Sequence, residues 1–269
     1  MNTSSPWDFR DNLDLKISHE YEEQGYIIQD ADPVYLELMN KELISSFHDF
    51  TKTISSEKIS LKNAHQVIQH DASNDLRLHI MQQLSKTNEF NKNYYFAAKK
   101  IIHILCGNEL AMQKRPGISI NLPNNRNDVL PIHADTWNGV SPYELNILIP
   151  FVDCIDSMCL YILKKDKYIS RLKDSKGLLR LTSDELFNEL REDLTWIPIK
   201  YGKILAFDQS LPHGYSLNAE LFSHWSMNCR FKGLHTPYWD KKLGEYFMPI
   251  SVRSSTRLGM NYQHPEKWI

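Results

Sequence analysis

The spacing of apolar residues changes near residue 112, and that change constrains the fold more than any other feature of the chain. Before it, apolar side chains recur at helical intervals. Tyr35, Leu36, Leu38, Met39, Leu43 and Ile44 make one stripe; Leu76, Leu78, Ile80, Met81 and Leu84 make a second. Tyr94, Tyr95, Ala97, Ala98, Ile101, Ile102 and Leu105 make a third, which stops at Gly107. Residues three and four apart share one side of a helix, so each stripe predicts a helix with one buried face. After residue 112 the apolar segments are short and bounded by Pro, Gly and Asn. They predict strands over Gly117–Leu122, Leu130–Ala134, Glu144–Val152, Met158–Leu163, Thr195–Ile199, Lys203–Asp208, Gly214–Leu217 and His224–Lys232. One helix interrupts them, Ser183–Arg191, with Thr182 and Glu185 at capping-box spacing.

A helical layer followed by a block of short strands predicts an α+β domain, its strands closed into a sandwich or barrel. No linker or repeat marks a second domain. The expectation is one domain over residues 1–269: helical support to residue 110, a β core over 111–235, and a C-terminal segment over 236–269 that wraps the core. Formal net charge is −2 with both signs interspersed, which gives no electrostatic footprint for nucleic acid or an anionic membrane. No apolar run reaches the ~18–20 residues of a membrane span, and the N-terminus lacks the apolar stretch of a secretory signal. Cys106, Cys154, Cys159 and Cys229 form no CxxC pair. Buried free thiols in a reducing, cytoplasmic setting are expected, a compartment that suits Fe(II).

The chemistry concentrates in Pro131-Ile132-His133-Ala134-Asp135. Residues i and i+2 of a strand share a face, so His133 and Asp135 project together and can chelate one ion. A third ligand comes from Leu211-Pro212-His213-Gly214, just after the apolar segment Lys203–Asp208. Two histidines and one carboxylate on one face leave metal positions open, the facial triad of non-haem Fe(II) oxygenases. An HxD pair alone is a weak signal, since a surface His beside a turn Asp looks the same. Its place at a strand end, with a distal His roughly eighty residues on in the same β block, strengthens it. His65, His70, His79 and His103 lie in the helical half and read as surface or core residues.

The stretches HADTWNGVSPYELNILIPFVD, GKILAFDQSLPHG and HWSMNCRFKGLHTPYWDKKLGEYF resemble the Fe(II)/2-oxoglutarate dioxygenases. Within them the resemblance is to the phytanoyl-CoA dioxygenase superfamily, in the branch of StrG-like and sporadic carbohydrate cluster oxygenases. It spans roughly residues 111–250. It implies a double-stranded β-helix, or jelly-roll, barrel with His133, Asp135 and His213 on Fe(II). It also implies 2-oxoglutarate on the iron, decarboxylated to succinate as O2 is consumed, and hydroxylation of the substrate. The superfamily anchors the far carboxylate of 2-oxoglutarate with an Arg about eleven residues after the distal His. Here that position is His224, with the usual polar residue two further on present as Ser226.

His224, Ser226, Asn228 and Arg230 alternate with Trp225, Met227, Cys229 and Phe231, giving one polar and one apolar face. The polar face lines a site if it points inward and is merely solvated if it points out. His224 could hold an anion if protonated, as a weaker and unforked partner than Arg. His224, Ser226, Asn121 and Arg230 are therefore the cosubstrate candidates, with Arg115 and Ser119 as possible helpers. Arg230 lies roughly 20 Å along an extended strand from His224, which favours substrate or an ion pair as its partner. Trp137, Tyr143 and Asn146, with Asn138 and Glu144, follow the HxD turn. Aromatic faces beside amide and carboxylate groups suit a sugar-like or aminocyclitol substrate, although ordinary packing of Trp137 and Tyr143 fits the same pattern.

Three functions stay open at this point: an Fe(II)/2-oxoglutarate oxygenase, a metal enzyme on the same barrel that does not use 2-oxoglutarate, and a sugar-binding pseudoenzyme. The oligomeric state is equally open.

Overall fold

The computed structural model describes residues 8–52, 59–172 and 180–265. Seven α-helices and eleven strands are assigned among them. Helix α1 (Asn12–Gln24) is capped by Asp11, whose side chain accepts from the Leu13 and Asp14 amides, and ends at Gly25 in the left-handed region (φ 80°). Helix α2 (Pro33–Thr51) starts with Asp32 as cap and proline at the first turn, where no amide donor is needed. It buries Leu36, Met39, Leu43 and Phe47 along one side. Helix α3 (Ser73–Leu84) buries Leu76, Ile80 and Leu84. Helix α4 (Glu89–Cys106) buries Phe90, Tyr94, Ala97 and Ile101 and stops at Gly107.

These helices cover one face of a seven-stranded sheet ordered β1-β8-β5-β10-β2-β11, with β3 also pairing β10. Its strands are β1 (Tyr26–Asp30), β2 (Leu110–Gln113), β3 (Gly117–Asn121), β5 (Glu144–Pro150), β8 (Lys203–Phe207), β10 (His224–Gly233) and β11 (Phe247–Ser251). A second, four-stranded sheet has the order β4-β9-β6-β7. It is built from β4 (Leu130–His133), β6 (Leu160–Leu163), β7 (Leu194–Ile197) and β9 (His213–Tyr215). Every strand pairing is antiparallel. Helices α5 (Lys165–Leu172) and α6 (Ser183–Leu190) follow β6, and α7 (Ser254–Met260) follows β11. The Thr182–Glu185 capping box closes the start of α6 in both directions.

The alternation of β10 decides what lies on each side of the large sheet. Trp225, Met227, Cys229 and Phe231 join the helix-side core with Phe47, Tyr94 and Ile147. Trp225 meets Phe47 edge to face at 5.4 Å between ring centres. The Tyr94 hydroxyl lies 2.8 and 2.9 Å from the carbonyl oxygens of Ile147 and Met227, tying α4 to two strands at once. Truncating a buried aromatic of this kind costs about 3–5 kcal/mol. The polar side of β10 faces inward. A separate apolar cluster of Leu148, Leu160, Ile162, Leu205, Phe207 and Tyr215 draws on strands of both sheets.

Three strands depart from the expected division of the chain. β1 lies within the helical half, where it pairs residue for residue with β8 from Tyr26↔Phe207 to Asp30↔Lys203. β2 begins at Leu110, and β11 lies in the C-terminal segment, pairing with β2. Each is a short segment whose partner is distant in sequence, so local periodicity carries little trace of it. Met158 is in a 3-10 turn, with β6 starting at Leu160, and β9 starts one residue early, at His213. The four cysteines are free thiols, three of them buried. No helix among the described residues is long and apolar enough to cross a membrane.

Candidate metal centre

Strands β4 and β9 of the small sheet place the two histidines opposite each other: His133 is the direct partner of His213. Side chains of directly opposed residues lie on the same face, and the two rings sit 4.6 Å apart. Asp135 follows the end of β4 at the head of a 3-10 turn (Asp135–Asn138), and its amide donates to the Gln209 carbonyl at 3.0 Å. That bond fastens the turn after β4 to the loop before β9. One ligand atom from each of His133, Asp135 and His213 lies within 4.8 Å of the others. Gly214 is required by close approach, since a Cβ there would lie 2.5 Å from the Leu130 carbonyl.

The tautomers of both histidines follow from their neighbours. His133 Nδ1 lies 2.9 Å from the Pro131 carbonyl and His213 Nδ1 lies 2.8 Å from the Leu211 carbonyl. A carbonyl only accepts, so each Nδ1 carries a proton and each neutral ring keeps its lone pair on Nε2. Orientation of a metal-binding imidazole through its other nitrogen is the usual supporting arrangement. Burial and the neighbouring His133 push His213 down to about 4, keeping it neutral. Burial also lowers His133, but Asp135 and the Pro131 carbonyl outweigh it and raise the group. The Asp135 carboxyl is buried, which opposes ionisation; His133, Arg230 and His213 overcome that and hold it well below the usual carboxylate range.

Arg230 crosses from β10 to grip this carboxylate. Its Nη2 donates to Asp135 Oδ2 at 2.6 Å, and its Nε lies 3.2 Å from the same oxygen. Oδ1 is left facing His133, 3.5 Å from Nε2. The rest of the guanidinium is held by Gln209 Oε1 (2.8 Å), Gln113 Oε1 (3.4 Å) and the Tyr246 hydroxyl (2.6 Å). Gln209 in turn donates to the buried Glu144 carboxylate at 3.3 Å. Burial raises Glu144 above its ordinary range, partly offset by Gln209 and the Ser141 amide. The structure thus places Arg230 at the triad, on the carboxylate, and away from His224. Gln209 and Tyr246 carry no signal in the sequence, because their link to Arg230 exists only through the tertiary fold.

The other cosubstrate candidates gather at the far end of β10. His224 pairs with Asn121 and Ser226 with Ser119 across β3. His224 has no exposure, and its ring nitrogens face Ser226 Oγ at 2.9 Å and Cys154 Sγ at 3.3 Å. The Tyr215 ring lies 4.9 Å from it, and the Tyr215 hydroxyl is 3.2 Å from Ser226 Oγ. Burial pushes His224 down to about 3, so the protonated, anion-holding form considered from the sequence is suppressed here.

Of the substrate candidates, Trp137 and Tyr143 are exposed on the turn after Asp135 and its continuation. Asn146 is fully buried on β5, between Arg230 on one neighbouring strand and Phe207 on the other. Neither its side-chain nitrogen nor its oxygen has a hydrogen-bond partner among the described residues. The segment after Pro237 folds over the same turn, since the Ser141 hydroxyl donates to the Pro237 carbonyl and the Asp240 amide to the Gly139 carbonyl.

No family model matches the chain, and no curated protein matches it. Solved structures do. A non-heme monooxygenase, ThoJ, in its nickel complex superposes with a TM-score of 0.56 at 8% identity, over 89% of this chain and 85% of that one. AviO1 from Streptomyces viridochromogenes Tue57 gives 0.51 at 14% identity, over 84% of this chain and 97% of that one. EvdMO1 gives 0.51 at 16% identity, over 82% of this chain but 49% of that one. At these identities the likeness is one of fold: the chain has the mixed helical and antiparallel architecture of a structurally known non-heme monooxygenase.

Proposed function

We propose that this chain is a non-haem Fe(II) oxygenase on a jelly-roll barrel, with His133, Asp135 and His213 as its metal ligands. The observation that carries the proposal is the triad's chemistry. Both Nδ1 atoms are engaged by backbone carbonyls, so each imidazole offers Nε2 to a metal, His133 by giving up the proton that Asp135 favours, and the ionised carboxylate offers Oδ1 while Arg230 occupies Oδ2. Two nitrogens and one oxygen fit a divalent first-row metal and leave positions for O2 and a cosubstrate. When bound, Fe(II) supplies one-electron chemistry with O2 that organic side chains lack. The protein's part is to fix both imidazole orientations through Pro131 and Leu211, and to hold Asp135 ionised and in one pose through Arg230.

Asn146 supports a ligand beside this centre, because a buried amide with both ends unpaired needs a partner. The exposed faces of Trp137 and Tyr143 suit a sugar-like or aminocyclitol substrate, with hydroxylation as the reaction. 2-Oxoglutarate, the cosubstrate that the sequence resemblance implies, fits the metal end of the interior but not the end at His224, where no free cation among the described residues would meet its second carboxylate. That mismatch also keeps alive a metal-dependent reaction without 2-oxoglutarate. The test is oxygen uptake by the Fe(II)-loaded protein, with and without added 2-oxo acid. Uptake that needs both iron and a 2-oxo acid, and is lost in His213→Ala, is expected. Uptake that persists in His213→Ala would remove the triad from the reaction.

A further inference from the structure

We propose that the metal-chelating cosubstrate of this chain is a 2-oxo acid with an uncharged tail rather than a dicarboxylate. The inference rests on the oxygenase reading and narrows its cosubstrate class. His213 and Tyr215 alternate on β9 and point the same way, about 7 Å apart along the strand. A ligand held at the triad would have Ile162 and Leu160 beside it if its tail ran along β9, since these are the direct partners of those two residues on β6. Phe207 closes on His213 at 5.0 Å between ring centres, and Leu148 and Leu205 belong to the same apolar cluster. At the end of that cluster stand Tyr215 and His224, each bonded to Ser226 Oγ between them, all three at most 3% exposed.

None of these residues offers a positive charge, and no other cation among the described residues is placed beside them. Two cations share the inward side of β10 among the described residues, and both are engaged elsewhere. Arg230 is spent on Asp135, Gln209, Gln113 and Tyr246. Lys232 donates to the Pro237 carbonyl at 2.5 Å and lies 3.6 Å from the centre of the Tyr238 ring. A carboxylate at the far end would have to shed its water for neutral hydroxyl and imidazole partners, an unfavourable exchange without a counter-charge. An uncharged tail loses little water and gains apolar contact.

The test compares 2-oxoglutarate with 5-methyl-2-oxohexanoate, in which an isopropyl group replaces the far carboxylate at the same chain position. Iron binding is measured first, by anaerobic calorimetry, so that failure of the metal centre registers separately; without iron binding the oxygenase reading falls, and this inference with it. Each acid is then titrated into the Fe(II) protein without O2, following the visible charge-transfer band of the chelate. The acid with the uncharged tail is expected to saturate the band at a concentration at least tenfold lower than 2-oxoglutarate. His224→Arg is expected to reverse the order; the wild-type comparison stands by itself if that variant does not fold. Saturation by 2-oxoglutarate at an equal or lower concentration overturns the proposal, as does iron that binds yet gives no band with either acid.

Discussion

Strand β10 carries two polar clusters on its inward side, and they are built on opposite principles. At Arg230 the cluster is ionic. A guanidinium and a carboxylate are both largely buried, they face each other, and Gln209, Gln113 and Tyr246 satisfy the remaining donors. At His224, six residues away, the cluster is neutral and closed: imidazole, two hydroxyls and a thiol bonded to one another with no counter-ion. The charged end has a ligand atom to spare, Asp135 Oδ1 beside two free imidazole nitrogens, so it can take up a cation. The neutral end has no charge to offer an anion. One strand therefore braces the carboxylate of the candidate cation site at one end and carries an uncharged cluster at the other, and the distinction lies in which buried charges have partners.

Breaking the ionic end should produce the largest effect. Arg230→Met leaves Asp135 buried without its guanidinium, and a cost of about 3–5 kcal/mol is expected for the metal-free protein in chemical denaturation. The loss should shrink when Ni(II) is added, because the metal restores a positive charge at the carboxylate. An equal loss with and without metal would mean that Asp135 does not face the ion.

The neutral end should show itself through pH. His224 is held at about 3 against an ordinary 6.5, so the unfolded chain takes up a proton that the folded one refuses. Stability from this group is complete above about pH 6.5 and is lost as the pH falls toward 3. At pH 5 that loss is about 2 kcal/mol, and His213, held at about 4, adds a comparable share in the metal-free protein. His224→Gln should make the decline between pH 7 and 5 shallower. An unchanged decline would show that His224 is protonated in the folded state. The smallest effect is expected from Tyr246→Phe, which removes one hydrogen bond to the guanidinium and should cost about 1–2 kcal/mol while leaving metal binding intact.

The ionic cluster was only half legible in the sequence. His133 and Asp135 announce themselves through i, i+2 spacing at a strand end, and His213 through its place after an apolar strand. The alternation along 224–231 predicts the two faces of β10, one packed on helices and one turned inward. Arg230 was visible as a polar residue on that face, yet its partner was not. The strand leads away from His224, and only the packing of one sheet over the other brings it to Asp135. Gln209 and Tyr246 were silent for the same reason. The neutrality of His224 was equally hidden, since it depends on complete burial between Ser226 of its own strand and Cys154 and Tyr215 from two distant segments. Strands β1, β2 and β11 share this limit, because their identity comes from distant partners rather than from their own pattern.

The most direct test of the central claim is an anaerobic calorimetric titration of the metal-free protein with Fe(II), run beside Asp135→Ala. One equivalent should bind to the wild-type chain and none to the variant, whose fold is checked by circular dichroism. Iron bound by a folded Asp135→Ala with undiminished affinity would contradict the assignment of His133, Asp135 and His213 as the metal centre.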